Sequence, residues 1–279
     1  MQFYWSNYLK TKLIKVFTYL TKDISGIILI NMIRINLQNF LLILGFSSEE
    51  PRFSNFGFAK ISPLIENKKV FFETLSFKKN QDSLRKDRKD AGALKVKKEI
   101  LQKNYQIYSD LLLKYDYINI AEKLVGEKVY PYVVMHLIND KKTKELIWHR
   151  DQYFHGKDFI GPKFKLYKLA IYLQDTNKKN GVTGFIPKFI SPRIGNKYLD
   201  TIFAYFSSFL SIHPRLSMGE AVIFSGKIMH HRPRQKNNNY REVIIFSCTN
   251  NPKNLPNLKD DENEFLNVFL RSKINLGIK

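Results

Sequence analysis

Cysteine is almost missing from this chain, with Cys248 the only one in 279 residues. No intramolecular disulfide can form, so folding needs no oxidising compartment and a cytoplasmic location is expected. Cys248 closes the apolar run Val243–Ile244–Ile245–Phe246–Ser247–Cys248, where a small buried hydrophobe is the better reading than a reactive thiol. Uninterrupted apolar segments of membrane length are lacking too. Ile27–Leu44 comes nearest, but Asn31, Arg34, Asn36, Gln38 and Asn39 break it, which argues against a spanning helix. Asn31, Arg34 and Gln38 recur at helical spacing, which predicts an amphipathic helix in an N-terminal extension, residues 1–50, packed on the core. Lys10, Lys12, Lys15 and Lys22 precede it, so peripheral membrane contact is the alternative. No small-residue cleavage site follows, which speaks against a signal peptide.

Acidic residues are few beside basic ones, 25 against 46, giving a net charge of +21. Nucleic-acid readers concentrate such charge on one element among aromatics. Here lysine is spread along the chain, and no helix-turn-helix, zinc-finger or aromatic RNA-binding motif appears. The charge reads as a solvated surface in a Lys-, Ile- and Asn-rich composition, with a weak anionic partner second and no specific nucleic acid. The densest basic stretch, Lys78 to Lys98, is expected as a solvated loop or helix face. At 44% hydrophobic, with 22 Phe and 15 Tyr, the chain is core-forming and not disordered. Its length suits one large domain, residues 51–279, after the extension.

Within that domain the patterning changes twice. Residues 51–77 hold Gly57, Pro63 and the stretch Val70–Phe71–Phe72, which suggests a strand or two. Residues 99–128 repeat apolar positions at about 3.6, from Ile100 to Tyr115 and again from Ile120 to Val125, predicting helices with Gly126 as a stop. From Val129 the texture is short strands: Tyr130–Leu137, Glu145–His149, Leu166–Leu173, Thr183–Pro187, Glu220–Phe224 and Glu242–Cys248. Turn residues such as Asn139–Asp140 and Asn180–Gly181 separate them, and the spacing indicates an all-β sandwich or barrel. No internal repeat is visible.

Trp148–His149–Arg150–Asp151 carries the first chemical signal. On a strand end, His149 and Asp151 share a face because side chains alternate. An imidazole beside a carboxylate is two-thirds of a facial triad for iron(II). The second signal starts at Gly219, runs through Glu220–Phe224 and reaches His230–His231, with Arg241 opening the next apolar strand. If a hairpin joins those strands, Arg241 faces His230 across it. A guanidinium fork binds carboxylates bidentately as lysine cannot. A dicarboxylate cosubstrate could then chelate iron at one end and pair with Arg241 at the other. His136, on the preceding strand, either faces that cosubstrate or is structural. Tyr153 and His155 follow Asp151 on a loop expected at the barrel mouth, as candidate substrate contacts. Tyr167 and Tyr172 read as core or wall residues and His213 as a surface histidine.

From about Tyr105 to Cys248 the sequence resembles the phytanoyl-CoA dioxygenase family of 2-oxoglutarate oxygenases. The resemblance lies in the helix Ile120–Gly126, in Trp148–His149–Arg150–Asp151, and in Leu173–Gln174–Asp175 followed by Asn180–Gly181. It continues in Gly219 to His230 and Arg241. It implies a double-stranded β-helix (a cupin-like jelly roll) with lead-in helices. It also implies iron(II) on His149, Asp151 and His230, with 2-oxoglutarate on Arg241 and dioxygen as co-reactants. The interval to Arg241 favours His230 over His231 as distal ligand. Pro187–Lys188–Phe189–Ile190 stands where the family commonly has Pro-Gly-Ser-His, a departure on the substrate side. Related halogenases resemble this site but replace the carboxylate, so Asp151 implies hydroxylation of a small-molecule, acyl or sugar-containing substrate. The alternative is a catalytically silent barrel that binds nucleic acid or membrane through its basic surface. A cupin-type enzyme without 2-oxoglutarate is disfavoured by Arg241.

Overall fold

Alternation of β-branched and aromatic residues with smaller or polar ones dominates the second half of the chain. In the computed structural model it produces two antiparallel sheets. The structure describes residues 53–77, 80–87, 92–151, 165–188, 190, 197–236, 240–255 and 260–278, all within the unit Ser48–Lys279. The expected N-terminal helix, Tyr153 and His155 lie outside these residues. No helix among the described residues is long and apolar enough to cross a membrane.

The larger sheet has seven strands. They are β1 (Phe58–Ile61), β2 (Leu84–Asp87), β3 (Ala93–Val96), β4 (Tyr130–Asn139), β6 (Leu166–Tyr172), β8 (Ala221–Ser225) and β10 (Arg241–Thr249), in the order β1-β8-β6-β10-β4-β3-β2. The smaller sheet holds β5 (Leu146–His149), β7 (Gly184–Ile186) and β9 (Met229–Arg232), in the order β5-β9-β7. Successive strands therefore pass between sheets, as in the jelly roll expected of this sequence. One expectation fails. His230 and Arg241 are not hairpin partners: β9 pairs with β5 and β7, while β10 pairs with β4 and β6. The chain changes sheet between them, so Arg241 faces the barrel interior from the opposite wall.

Helices cover one face of the large sheet. They are α3 (Lys98–Lys103), α4 (Tyr105–Lys114) and α5 (Tyr117–Val125), after α1 (Phe53–Phe56) and α2 (Lys68–Leu75). Leu101, Tyr108, Leu112 and Ile118 pack with Val134, Ile138, Ile171, Ile244 and Phe246 in one core cluster, joined by Phe265 and Phe269. Those last two come from α7 (Asp260–Asn275), which follows α6 (Lys197–Ser207) in the chain. Gly126 ends α5 at φ +77°, as its sequence position suggested. Two local readings are corrected. Val70–Phe71–Phe72 lies in α2, because Phe72 reaches the core from a helix face. The basic stretch after Lys78 contains the β2–β3 hairpin, whose lysines and arginine flank the buried Leu84, Ala93 and Val96 at the strand ends.

The other face of the large sheet looks across the barrel to the small one. Phe58 stacks on Phe185 at 4.5 Å between ring centroids, and Phe224 approaches Phe185 at 5.1 Å. Burying a phenylalanine stabilises by about 1.5–3 kcal/mol, so these three rings hold the two walls together. Gly219 turns the chain into β8 at φ +81°, and a Cβ there would sit 2.4 Å from the Phe72 ring. Only glycine fits both the left-handed backbone and the contact.

Candidate metal centre and cosubstrate pocket

His149 and His230 are cross-strand partners in the β5–β9 pair, so both imidazoles project from one face of the small sheet. Asp151 follows His149 by two residues and turns back toward them. Its carboxylate oxygens lie 3.8 Å from His149 Nε2 and 3.7 Å from His230 Nε2. One ligand atom from each residue falls within 4.8 Å of the others, and this is the only such metal-capable group among the described residues. Ligand atoms about 2 Å from one ion lie roughly 3 Å apart, so shifts of under an ångström close the set.

The histidine tautomers are set by the backbone. His149 Nδ1 donates to the Ile147 carbonyl at 2.7 Å, and His230 Nδ1 donates to Ile228 at 3.1 Å. A carbonyl only accepts, so the proton is on Nδ1 and each Nε2 presents a lone pair to the centre. Burial drives the His149 pKa down to about 3, with His230 beside it adding to the shift, and burial also lowers that of His230. Both rings stay neutral at physiological pH, which is the form a metal needs.

His231 points the other way. It stacks on Trp148 at 3.9 Å and meets His213 edge-on at 5.3 Å, on the outer face of the small sheet. Alternation along β9 separates the adjacent histidines, and His230 alone joins His149 and Asp151. His213 is half-buried in this packing and not a plain surface histidine. Gly184 makes room for it, because a Cβ there would come within 2.4 Å of the His213 ring.

Arg241 is 3% exposed and opens β10 opposite Asn139. Its guanidinium lies over the Tyr172 ring at 5.0 Å, and Nη2 donates to Tyr172 Oη at 3.2 Å and Thr183 Oγ1 at 3.3 Å. Among the described residues its buried Nε has no hydrogen-bond partner, and neither has either amide atom of Asn139. These groups line a small pocket shared with Asp140, Gly181 and Arg232. A buried guanidinium nitrogen without a partner is chemically suited to a carboxylate oxygen.

His136 does not join this site. It lies on the helix-covered face of β4, level with Ile244. Its Nδ1 pairs with Tyr108 Oη at 2.9 Å and its Nε2 with Glu242 Oε1 at 2.9 Å. With both nitrogens engaged away from the barrel interior, its role is structural. Glu242 also accepts from Phe77 N at 2.7 Å, and its own amide donates to Gln174 Oε1 at 2.8 Å. Arg241 and Glu242 point to opposite faces of one strand, so this network holds the backbone from which Arg241 projects. Arg150 is a second supporting residue that sequence reasoning did not single out. Its Nε contacts Asp200 of α6 at 3.1 Å, and Nη1 donates to the Lys227 carbonyl. It ties the His149 strand end to the turn that leads into β9. No motif spacing links Arg150 to Asp200, so only the folded chain reveals the pair.

The family model for phytanoyl-CoA dioxygenase (PhyH) matches residues 65–243, well over half of the chain. The chain belongs to the phytanoyl-CoA dioxygenase family. Members are iron(II)- and 2-oxoglutarate-dependent dioxygenases, and the His-Asp-His group fits an iron site. No curated protein matches the sequence. Solved structures with the same fold include AviO1 from Streptomyces viridochromogenes Tue57, 21% identical with a TM-score of 0.56, covering 74% of this chain and 94% of its own. EctD from S. alaskensis, determined with 2-oxoglutarate and 5-hydroxyectoine, is 16% identical with a TM-score of 0.54 over 73% and 75%. The 2-oxoglutarate-dependent carbocyclase SnoK from nogalamycin biosynthesis is 13% identical with a TM-score of 0.55 over 71% and 81%. At these identities the likeness shows that a phytanoyl-CoA dioxygenase-type barrel is shared.

Proposed function

We propose that the protein hydroxylates an unactivated C–H bond of a small molecule, with His149, Asp151 and His230 holding iron(II) and Arg241 holding 2-oxoglutarate. One observation carries the reading: two neutral imidazoles and a carboxylate converge inside a barrel that also buries an arginine with an unpartnered nitrogen. When bound, iron(II) with 2-oxoglutarate and dioxygen supplies the oxidant for the C–H bond.

The chain's own residues provide position and exclusion. Ile147 and Ile228 fix the two imidazoles through their carbonyls, and Arg150 fixes the strand end that carries His149. Tyr172 and Thr183 hold the guanidinium through Nη2 and leave Nε without a partner among the described residues. Phe185 and Phe224 pack around the His230 ring, at 6.3 and 4.8 Å between centroids. Asp151 occupies the position that hydroxylases keep as a carboxylate, which supports hydroxylation. EctD was determined with 5-hydroxyectoine and SnoK belongs to nogalamycin biosynthesis, so the substrate is sought by experiment. The test is succinate release by iron-reconstituted protein across a library of acyl, sugar-containing and other small metabolites. Succinate formation coupled to one class of compound supports the reading. Failure to bind iron(II) and 2-oxoglutarate in the full-length protein overturns it.

A further inference from the structure

A second cation is built into the barrel, remote from Arg241. Lys168 is 6% exposed and lies on the inner face of β6, opposite Ser247 of β10 and Phe224 of β8. Its neighbours Tyr167 and Leu169 turn outward into the helix-covered core. Among the described residues its ammonium makes one hydrogen bond, to Ser247 Oγ at 2.7 Å, and no ion pair. A buried ammonium held by a single neutral hydroxyl is costly, because its remaining protons and its charge lack partners. Folding gains nothing from it that a methionine would not supply.

The surroundings say what the charge faces. Phe224, the direct partner of Lys168, has its ring 4.8 Å from that of His230. The lysine is therefore one aromatic ring from the metal centre. Next to it on the inner face, Val133, Met135 and Ile245 are only partly buried, whereas their outward-facing neighbours Val134, His136, Ile244 and Phe246 are buried. Val133, Met135 and Ile245 thus keep some accessible apolar surface on this face, beside a Lys168 buried among Ser247, Phe224 and Ala170. Arg241 and Ser247 are six residues apart on β10, roughly 20 Å at strand rise. The cosubstrate cation and this one stand at opposite ends of the same wall.

We propose that Lys168 binds an anionic oxygen group, carboxylate or phosphate, on a substrate whose apolar part rests on Val133, Met135 and Ile245. The proposal rests on the oxygenase reading of this barrel and narrows its substrate class to amphipathic acids. The test uses full-length protein loaded with iron(II) and 2-oxoglutarate without oxygen, titrated calorimetrically with octanoate, octyl phosphate and octanol. One or both anions should bind at least tenfold more tightly than octanol, and the tighter of the two identifies the head group. Lys168→Met should erase that preference while iron stoichiometry and 2-oxoglutarate affinity stay as in the wild type, with an unchanged or higher Tm. Lys168→Gln serves as the second neutral variant. Equal affinity for all three probes, no binding of any, or an anion preference that survives both variants overturns the proposal. A lowered Tm with the preference intact shows a structural lysine and overturns it as well. Loss of iron or 2-oxoglutarate binding in the wild type would instead strike the oxygenase reading.

Discussion

Three side chains converge on the metal position with no spare donor among the described residues, so single changes should be decisive. His149→Ala, Asp151→Ala and His230→Ala should each lose stoichiometric iron(II) on anaerobic reconstitution, measured as metal per chain. His231→Ala should keep it, because His231 stacks outward on Trp148. Retention by His230→Ala together with loss by His231→Ala would reverse the assignment. Arg241→Ala should bind iron normally and raise the KM for 2-oxoglutarate by more than tenfold, since losing a desolvated charge-assisted pair costs about 2–5 kcal/mol. Arg241→Lys should not restore affinity, because an ammonium lacks the planar fork. An unchanged KM in both variants would remove Arg241 from the cosubstrate pocket. The four residues of this constellation were legible from alternation and order in the sequence. The partners that hold them were not. Tyr172, Thr183 and Asp200 are brought in by the packing of strands and of α6 and carry no local signature, and the same chemistry that made His136 attractive as a site residue serves a buried pair with Glu242.

At the scale of elements, most strands after Val129 and the helices before them could be read directly, whereas β2, β3 and β9 could not. Each has four residues. Lysines and arginines mask the pattern of β2 and β3, and β9 takes its pairing from β5 and β7, distant in sequence. β9 matters most, because it places His230 beside His149. Its sheet change also explains why the hairpin reading of His230 and Arg241 failed. Two elements give stability tests. Gly219→Ala should cost about 2–4 kcal/mol, combining left-handed backbone strain with a clash against Phe72. Guanidinium unfolding of the variant checks this, and a loss below 1 kcal/mol would deny the tight turn into β8. His136→Leu leaves Glu242 buried beside apolar groups and should cost about 3–5 kcal/mol, again read from unfolding curves. It should leave iron stoichiometry intact, which separates it from the ligand variants.

For the whole molecule, the histidines of the site set a pH dependence. His149 and His230 have folded pKa values below the unfolded value, His149 at about 3, with burial the leading cause for both. Between pH 6.5 and their folded values the unfolded chain binds more protons, so stability falls as pH falls, by about 1 kcal/mol per pH unit for each ring. Tm of the metal-free protein should drop on going from pH 7 to 5.5, and a saturating divalent metal should offset the drop. A Tm that is flat across that window would contradict neutral, buried rings. The +21 charge should give only weak, salt-sensitive association with duplex DNA, and sequence-selective binding at physiological salt would revive the nucleic-acid alternative. One further consequence comes from the strand pairing of His149 with His230. These residues bracket about 80 positions of chain, and shared ligation would close that span into a ring. Closing so long a ring removes entropy from the unfolded ensemble much as a covalent crosslink does. A chain with one cysteine would thereby possess a reversible substitute for a disulfide. Its fastening would show as slower cleavage between the sheets by a nonspecific protease once metal is added, and as equal rates with and without metal in Asp151→Ala.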